Sequence, residues 1–298
     1  MGMPSGKDTS VSDQIPFQGL IVAATPIGNL GDLTPRVEHA LSSADMIACE
    51  DTRHTGKLLA KLGIKTKMIA YHDHSRDHVL KGIITALKDG KTIVLVSDAG
   101  TPLISDPGYK LVATCRAEGI PVTALPGASA VLTGLAASGL PTDQFYFAGF
   151  LAQSSKKKRD QLHSQMAIPS TTIFYESPKR LADTLAIMAN LYPDRPIVIA
   201  RELTKLHESF YHGTVRDLAR QLKDIDLKGE LVVMLGPLHI TDDYSDDDVL
   251  AALKEALAGG LTNKDAIAHV TALSGRAKKD VYGIALTLKD TARNDHMS

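Results

Sequence analysis

The stretch TIVLVSDAGTPLISDPG, residues 92–108, decides how this chain is read. Its first part is apolar at almost every position and rich in β-branched residues, the pattern of a strand buried on both faces. The part that follows carries two glycines, two prolines and two aspartates, which stop and turn the backbone twice. Unusual backbone conformations cost stability, so such a loop is expected to hold something.

Outward from that strand the same beat recurs. GLIVAA is followed by LTPRVEHALSSA, DMIAC by a helical pattern through KLLAKLG, and KMIAYH by HVLKGIITALKDG; beyond the quoted loop come YKLVATCRAEG, PVTALP and ASAVLTGLAASG. Short apolar strands, each followed by an amphipathic helix, imply an α/β domain on a parallel sheet covered on both faces. This domain is expected over residues 18–140, after a flexible tail over 1–17, and it ends where Gly139, Pro141 and Asp143 cluster. A second α/β domain is expected over 141–238. Its strands are FYFAGF, TTIFYES, PIVIARELT, ESFYHGTV and GELVVML, and its clearest helix is KRLADTLAIMANLY. ESFYHGTV reads as a hairpin or meander strand, which makes that sheet mixed. Residues 239–298 read as an acidic segment, TDDYSDDD, that is a solvated linker or a helix start, followed by a helical appendage. There Thr262 and Asp265 supply a capping-box-like start, Gly275 ends the helix and RAKKDVYGIALTLKD resumes it, as a helix-turn-helix or a plain helical hairpin.

Bulk properties narrow the function classes. A chain of 298 residues with 44% hydrophobic and 22% charged residues is a globular protein with a sizeable core. Thirty-three basic against thirty-four acidic residues leave a net charge of −1, so no global field draws it to nucleic acid or membrane. Two cysteines are too few for a disulfide framework, which fits a reducing cytoplasm, and no run of apolar residues is long enough to span a bilayer.

In an open parallel sheet, ligands bind beyond the carboxyl ends of the strands. ATPIGNL, EDTRHT, YHDHSRDH, SDAGTPLISDPG and PGASA all fall there. Phosphate is a poor candidate, because the long loop brings Asp98 and Asp106 and no lysine before Lys110. No glycine fingerprint for a dinucleotide opens a helix in this domain. Acceptor-rich loops with closely approaching backbone suit a ligand with ammonium, hydroxyl and adenine donors and a positive centre, properties that S-adenosylmethionine combines. His72, His74 and His78 invite a metal, but converging partners at zinc spacing are missing, so no metal is expected.

ATPIGNLGDLTPRVEHAL, ACEDTRHTGKLL, VSDAGTPLISDPGY, LPGASA, SGLPTDQFYFAGF, IFYESPKRL, ARELTKLHE and GELVV, in this order, resemble the tetrapyrrole-methylase-like superfamily. The likeness runs from about residue 19 to 236 and more loosely into the helical tail. It points to the branch that methylates the ribose 2′-oxygen of a cytidine in the decoding region of 16S ribosomal RNA. Relatives acting on tetrapyrroles usually carry Gly-Asp-Pro where this chain has Asp98, Ala99 and Gly100, which favours the RNA branch.

What the resemblance implies is a cytoplasmic, homodimeric methyltransferase of two α/β domains, with S-adenosylmethionine in a cleft between them and the small ribosomal subunit or its RNA as partner. On the matching positions Pro26, Asp98, Ala99, Gly100, Thr101, Ile104, Ser105, Gly127, Ala128 and Ser129 would surround the cofactor from the first domain. Tyr175, Glu176, Glu230, Leu231 and Val232 would do so from the second. Two rival readings are a tetrapyrrole C-methyltransferase and a non-catalytic ribosome assembly factor.

A ribose hydroxyl is a weak nucleophile and gains from a nearby base or cation. Lys205 is the first candidate for orienting or activating it and Glu50 the second, with Glu202 beside them; ion pairing or phosphate clamping is the plainer role for each. Asp51, Arg53, Tyr71 and His72 are expected to meet the RNA, the last two by stacking on or hydrogen bonding a splayed nucleotide. Lys156, Lys157, Lys158 and Arg159 form one basic patch, and Arg276, Lys278 and Lys279 another; each is an RNA grip or a solvated face.

Overall fold

A computed structural model describes residues 17–73, 77–166, 168–237 and 244–294. Residues 1–16 of the expected tail, His74, and residues 241–243 of the acidic run lie outside them. The chain divides into two units, Met1–Thr133 with Leu203–Leu206, and Gly134–Glu202 with His207–Ser298.

In the first unit, strands β1 (Gly19–Ala23), β2 (Met46–Cys49), β3 (Met68–Ala70), β4 (Thr92–Val96) and β5 (Val122–Leu125) alternate with helices α1 (Pro35–Ser43), α2 (Thr52–Leu62), α3 (Asp77–Lys88) and α4 (Tyr109–Ala117), and α5 (Ala130–Ser138) follows. The strands form one parallel sheet in the order β3-β2-β4-β1-β5. Alternate residues of each strand feed two separate cores. Leu20, Val22, Ala48, Ile93 and Leu95 pack with Ile83, Leu87 and Leu111 of α3 and α4. Ile21, Ala23, Ile47, Val94 and Val96 pack with Val37, Leu41 and Leu59 of α1 and α2. That is why these strands lack a polar face: each side chain removed from water contributes ~1.5–3 kcal/mol, on whichever face it lies. Helices α2 and α4 lie on opposite faces of neighbouring strands β2 and β4, and in open α/β sheets ligands bind at the carboxyl ends of such a strand pair. EDTRHT is only partly loop, since Asp51 N-caps α2 and the helix begins at Thr52.

The second unit carries β6 (Phe145–Phe150), α6 (Ser155–Met166), β7 (Thr171–Glu176), α7 (Pro178–Leu191), β8 (Pro196–Arg201), β9 (Ser209–Thr214), α8 (Val215–Gln221) and β10 (Leu231–Leu235). Its sheet, β6-β7-β10-β8-β9, is mixed as expected: β6 runs parallel to β7, and the other pairs are antiparallel. The tail holds α9 (Asp246–Ala258), α10 (Asn263–Ser274) and α11 (Lys278–Asn294) around Val249, Leu253, Ala266, Val270 and Val281. Of the acidic run, Asp246, Asp247 and Asp248 form a helix start rather than a linker: they open α9, where Ser245 and Asp248 close a capping box and the helix dipole favours negative charge. Thr262 caps α10 through the amide of Asp265, and Gly275 ends it at φ 66°. No helix among the described residues is long and apolar enough to cross a membrane.

His269 of α10 packs 5.3 Å from the Tyr192 ring and 6.2 Å from the His163 ring, centre to centre. Burial, and secondarily repulsion from His163, lowers its pKa from 6.5 to about 4. The unfolded chain therefore binds a proton that the folded one refuses, and stability drains away as pH falls from about 6.5 towards 4. His269→Gln is expected to flatten the fall of the thermal midpoint between about pH 6.5 and 5, above the range where most carboxylates titrate. Identical slopes for the two proteins would refute this assignment.

Candidate functional site

The loop that opened the sequence analysis is held in place from four sides. Thr25, just past β1, and Gly100, just past β4, exchange both backbone hydrogen bonds at 2.9 Å each. The Thr25 hydroxyl donates to the Ser97 carbonyl at 3.2 Å, and the Thr101 hydroxyl to the Ala128 carbonyl, beyond β5, at 3.1 Å. From the β2 end, the Asp51 amide donates to Asp98 Oδ1 at 3.2 Å; from the β3 end, Asp73 Oδ1 accepts from the Gly108 amide at 3.0 Å. All five strand ends are thus tied to one loop.

Within these ties the backbone is contorted. Gly100 and Gly108 have φ of 75° and 134°, and Leu103 and Ser105, which are not glycines, have 73° and 69°. A left-handed residue with a side chain costs roughly 1 kcal/mol or more, and such strain persists only where surrounding contacts over-determine it. Here it lifts Ala99, Ile104 and Ser105 into solvent while Pro102 and Gly108 are buried. Close backbone approach recurs next door, where a Cβ on Gly127 would lie 2.8 Å from the Ala24 methyl.

Electrostatically the rim is acidic. Burial, reinforced by Asp98 and Asp106, pushes the Glu50 carboxyl above its usual range. Burial likewise raises Asp106, against a hydrogen bond with Ser97. Asp51 differs: Arg53 sits against it at 2.7 Å and holds it well below the usual carboxylate range. Asp106 was named above only as an argument against phosphate and Asp73 only within a quoted loop, and their place in this cluster emerges only from the fold.

Lys205 belongs to this unit and lies against the loop after β1. A Cβ on Gly28 would strike Lys205 Cγ and come within 3.0 Å of Lys205 Cε and Thr204 Oγ1. Thr204 itself has φ 64°. Glu202, in the second unit, is bonded to the backbone of Glu230: its amide donates to the Glu230 carbonyl at 3.0 Å, and its Oε1 accepts from the Glu230 amide at 2.9 Å. Leu231 and Val232 are buried in β10, whereas Glu230 is exposed. Tyr175 packs edge-on to Phe147 with ring centres 5.0 Å apart, and 5.3 Å from Phe150.

The structure corrects three expectations. Tyr71 is 1% exposed in the core beneath α3 and α4, its hydroxyl 3.4 Å from Asp73 Oδ1, so it cannot stack on a nucleotide; His72 beside it is exposed. Lys158 is not part of a basic surface, because it is buried next to Glu176, while Lys156, Lys157 and Arg159 are exposed. The Glu176 carboxylate is itself consumed by Thr184, Arg180 and the Ser177 amide, which leaves only its backbone for a ligand. A signal for Lys158 existed: it stands four residues before Leu162 and seven before Gln165, the buried stripe of α6.

Gly108 tests how far the loop is constrained. Alanine there would hold φ near 134° and press its methyl to 2.8 Å from Leu95 Cδ2 in the core. Gly108→Ala is expected to cost about 2 kcal/mol, measured by denaturant unfolding. Wild-type stability would contradict the strain described here.

Residues 19–219 are similar to the family described as Tetrapyrrole (Corrin/Porphyrin) Methylases, and residues 243–289 to the RsmI C-terminal HTH domain. A Mesorhizobium japonicum protein named ribosomal RNA small subunit methyltransferase I is 43% identical over 275 residues, covering 92% of this chain and 93% of that one. A Vibrio cholerae protein of the same name is 45% identical over 267 residues, covering 88% and 92%. Among solved structures, diphthine synthase matches with a TM-score of 0.57 at 16% identity, over 73% of this chain and 89% of that one. Uroporphyrin-III C-methyl transferase from Thermus thermophilus, complexed with S-adenyl homocysteine, matches with a TM-score of 0.51 at 18% identity, over 73% and 96%. At these identities the structural matches speak to fold alone.

Proposed function

The chain belongs to the tetrapyrrole (corrin/porphyrin) methylase family, and on that premise we propose that it methylates small-subunit ribosomal RNA, at the ribose 2′-oxygen of a cytidine in the decoding region, using S-adenosylmethionine. The observation that carries the chemistry is the contorted, acidic loop rim tied to Thr25 and Gly100. A homodimer acting on the RNA or the assembled subunit in the cytoplasm belongs to the same reading.

The rim's donor set fits the cofactor. Gly100 takes a left-handed φ of 75°, Gly127 lets its backbone close on the Ala24 methyl, and Asp98 with the neighbouring carbonyls offers acceptors for amino and hydroxyl groups. Pro26, Ala99, Thr101, Ile104, Ser105, Ala128 and Ser129 complete that set. Of the second unit, we propose Tyr175, the Glu176 backbone, Glu230, Leu231 and Val232 as further cofactor contacts. When bound, S-adenosylmethionine supplies an electrophilic methyl group on a sulfonium. The chain's task is then positioning, charge complementarity and handling of one hydroxyl proton. Glu50, with its raised pKa, is suited to accept that proton near neutral pH, and Lys205 to steady the oxygen as it loses it. Glu202, whose Oε1 accepts from the Glu230 amide, is the third candidate beside them.

The exposed Lys156, Lys157 and Arg159 on α6, with Lys278 and Lys279 on α11, are the RNA grip in this reading. Arg276 of the second patch is engaged by Asp246 and pins the tail instead. Asp51, Arg53 and His72 remain at the rim as RNA contacts.

Labelled cofactor, offered undermethylated small subunits and a porphyrin precursor in parallel, tests the proposal. Label in a cytidine ribose of 16S RNA is the expected result; label in the porphyrin would support the C-methyltransferase reading, and label in neither an assembly factor. Lys205→Met and Glu50→Gln are each expected to slow single turnover by roughly 100-fold while binding S-adenosylhomocysteine normally. With a carboxylate base the rate falls as pH drops through its raised pKa, so Glu50→Gln should also lose the acid limb of the profile. An unchanged acid limb would remove Glu50 from the chemistry.

A further inference from the structure

Helix α6 begins with four consecutive basic residues, yet its helical period turns one of them inward. The Lys158 and Glu176 side chains are 4% and 0% exposed. Lys158 Nζ donates to Thr184 Oγ1 at 2.8 Å, and the Thr184 hydroxyl donates to Glu176 Oε2 at 2.7 Å. Lys158 Nζ stands 3.9 Å from the same carboxylate oxygen. Glu176 Oε1 accepts from the Ser177 amide at 2.8 Å and lies 3.2 Å from Arg180 Nε. Arg180 also donates to the Leu151 and Ala152 carbonyls at 2.6 and 3.0 Å, while the Ala152 amide donates to Gln161 Oε1 at 2.9 Å.

This cluster is costly. Burial alone disfavours the Lys158 ammonium, and Glu176 restores it only in part. Buried ion pairs are frequently no more stabilising than apolar side chains of the same volume, so stability alone does not account for this one. The arrangement here spans two strand ends. Neighbouring residues on a strand face opposite ways, so anchoring Glu176 on the helix side fixes Tyr175 on the other. Holding Leu151 and Ala152 likewise fixes the end of β6, where Phe150 meets the Tyr175 ring at 5.3 Å.

We propose that Lys158, acting through Thr184, Glu176 and Arg180, is a positioning residue that sets the Tyr175 and Phe150 lip against which the nucleoside part of the cofactor is held. The inference rests on the methyltransferase reading above. The interactions run through the second unit alone and use none of the candidate proton-transfer groups.

A double-mutant cycle separates positioning from general stability. S-adenosylhomocysteine affinity is measured by calorimetry, alongside thermal midpoints, for wild type, Lys158→Met, Tyr175→Leu and the double variant. Thr184→Val, which removes only the linking hydroxyl, takes the place of Lys158→Met should that variant not fold. The expected result is about a tenfold loss of affinity for Lys158→Met in the wild-type background and no further loss once Tyr175 is leucine. Affinity equal to wild type in Lys158→Met, or an equal loss in both backgrounds, overturns the proposal. Wild-type protein that binds no S-adenosylhomocysteine would overturn the methyltransferase reading and this inference with it, an outcome distinct from failure of the variants alone.

Discussion

Two hydrogen bonds between the backbones of Thr25 and Gly100 hold the candidate site together. They join the ends of β1 and β4, the paired strands at the centre of the first sheet, and they do so beyond the last ladder pair. Without them the chain from Asp98 to Gly108 would have no reason to keep left-handed conformations at Leu103 and Ser105. Every other tie, from Thr101, Asp73 and Asp98, acts on a loop whose start this bridge has already placed. The strain is therefore held by several ties of which this pairing is the first, and Asp98 and Asp106 ride on the loop it places, while Glu50 joins them from the end of β2.

The first sheet was legible because its strands are buried on both faces, and a fully apolar run followed by an amphipathic helix has few other interpretations. Much of the candidate rim was legible for the same reason: turn residues after a parallel strand must fall at the carboxyl edge. What could not be read was direction. Tyr71 follows β3 as an aromatic among histidines and aspartates, which resembles a surface, yet its ring completes the core beneath α3 and α4. Lys158 stands in a basic run whose other members are exposed, and only the place of Leu162 on the helix reveals that it turns inward. Periodicity reports which face a residue shares and is silent about a buried charge whose partner lies in another element.

The helical tail shows a related limit. Its aspartates read equally as a solvated linker or a helix start, and Ser245 with the amides at the start of α9 decides for the second. Acidic residues before a helix and acidic residues in a linker have the same composition; a hydroxyl three positions earlier is what separates them.

The charge distribution follows from the same economy. The chain is almost neutral overall, yet Glu50, Asp98 and Asp106 concentrate negative potential at the rim, while Lys156, Lys157 and Arg159 stand exposed on α6. In the proposed reaction the rim must favour a sulfonium and yet admit a polyanion. At physiological salt such a field decays over ~8 Å, so it governs only the nucleotide that enters. A phosphate placed there would be repelled and an uncharged ribose hydroxyl would not, so the rim selects which part of the backbone approaches. Grip on the remaining phosphates has to come from cations, since carboxylates cannot supply it.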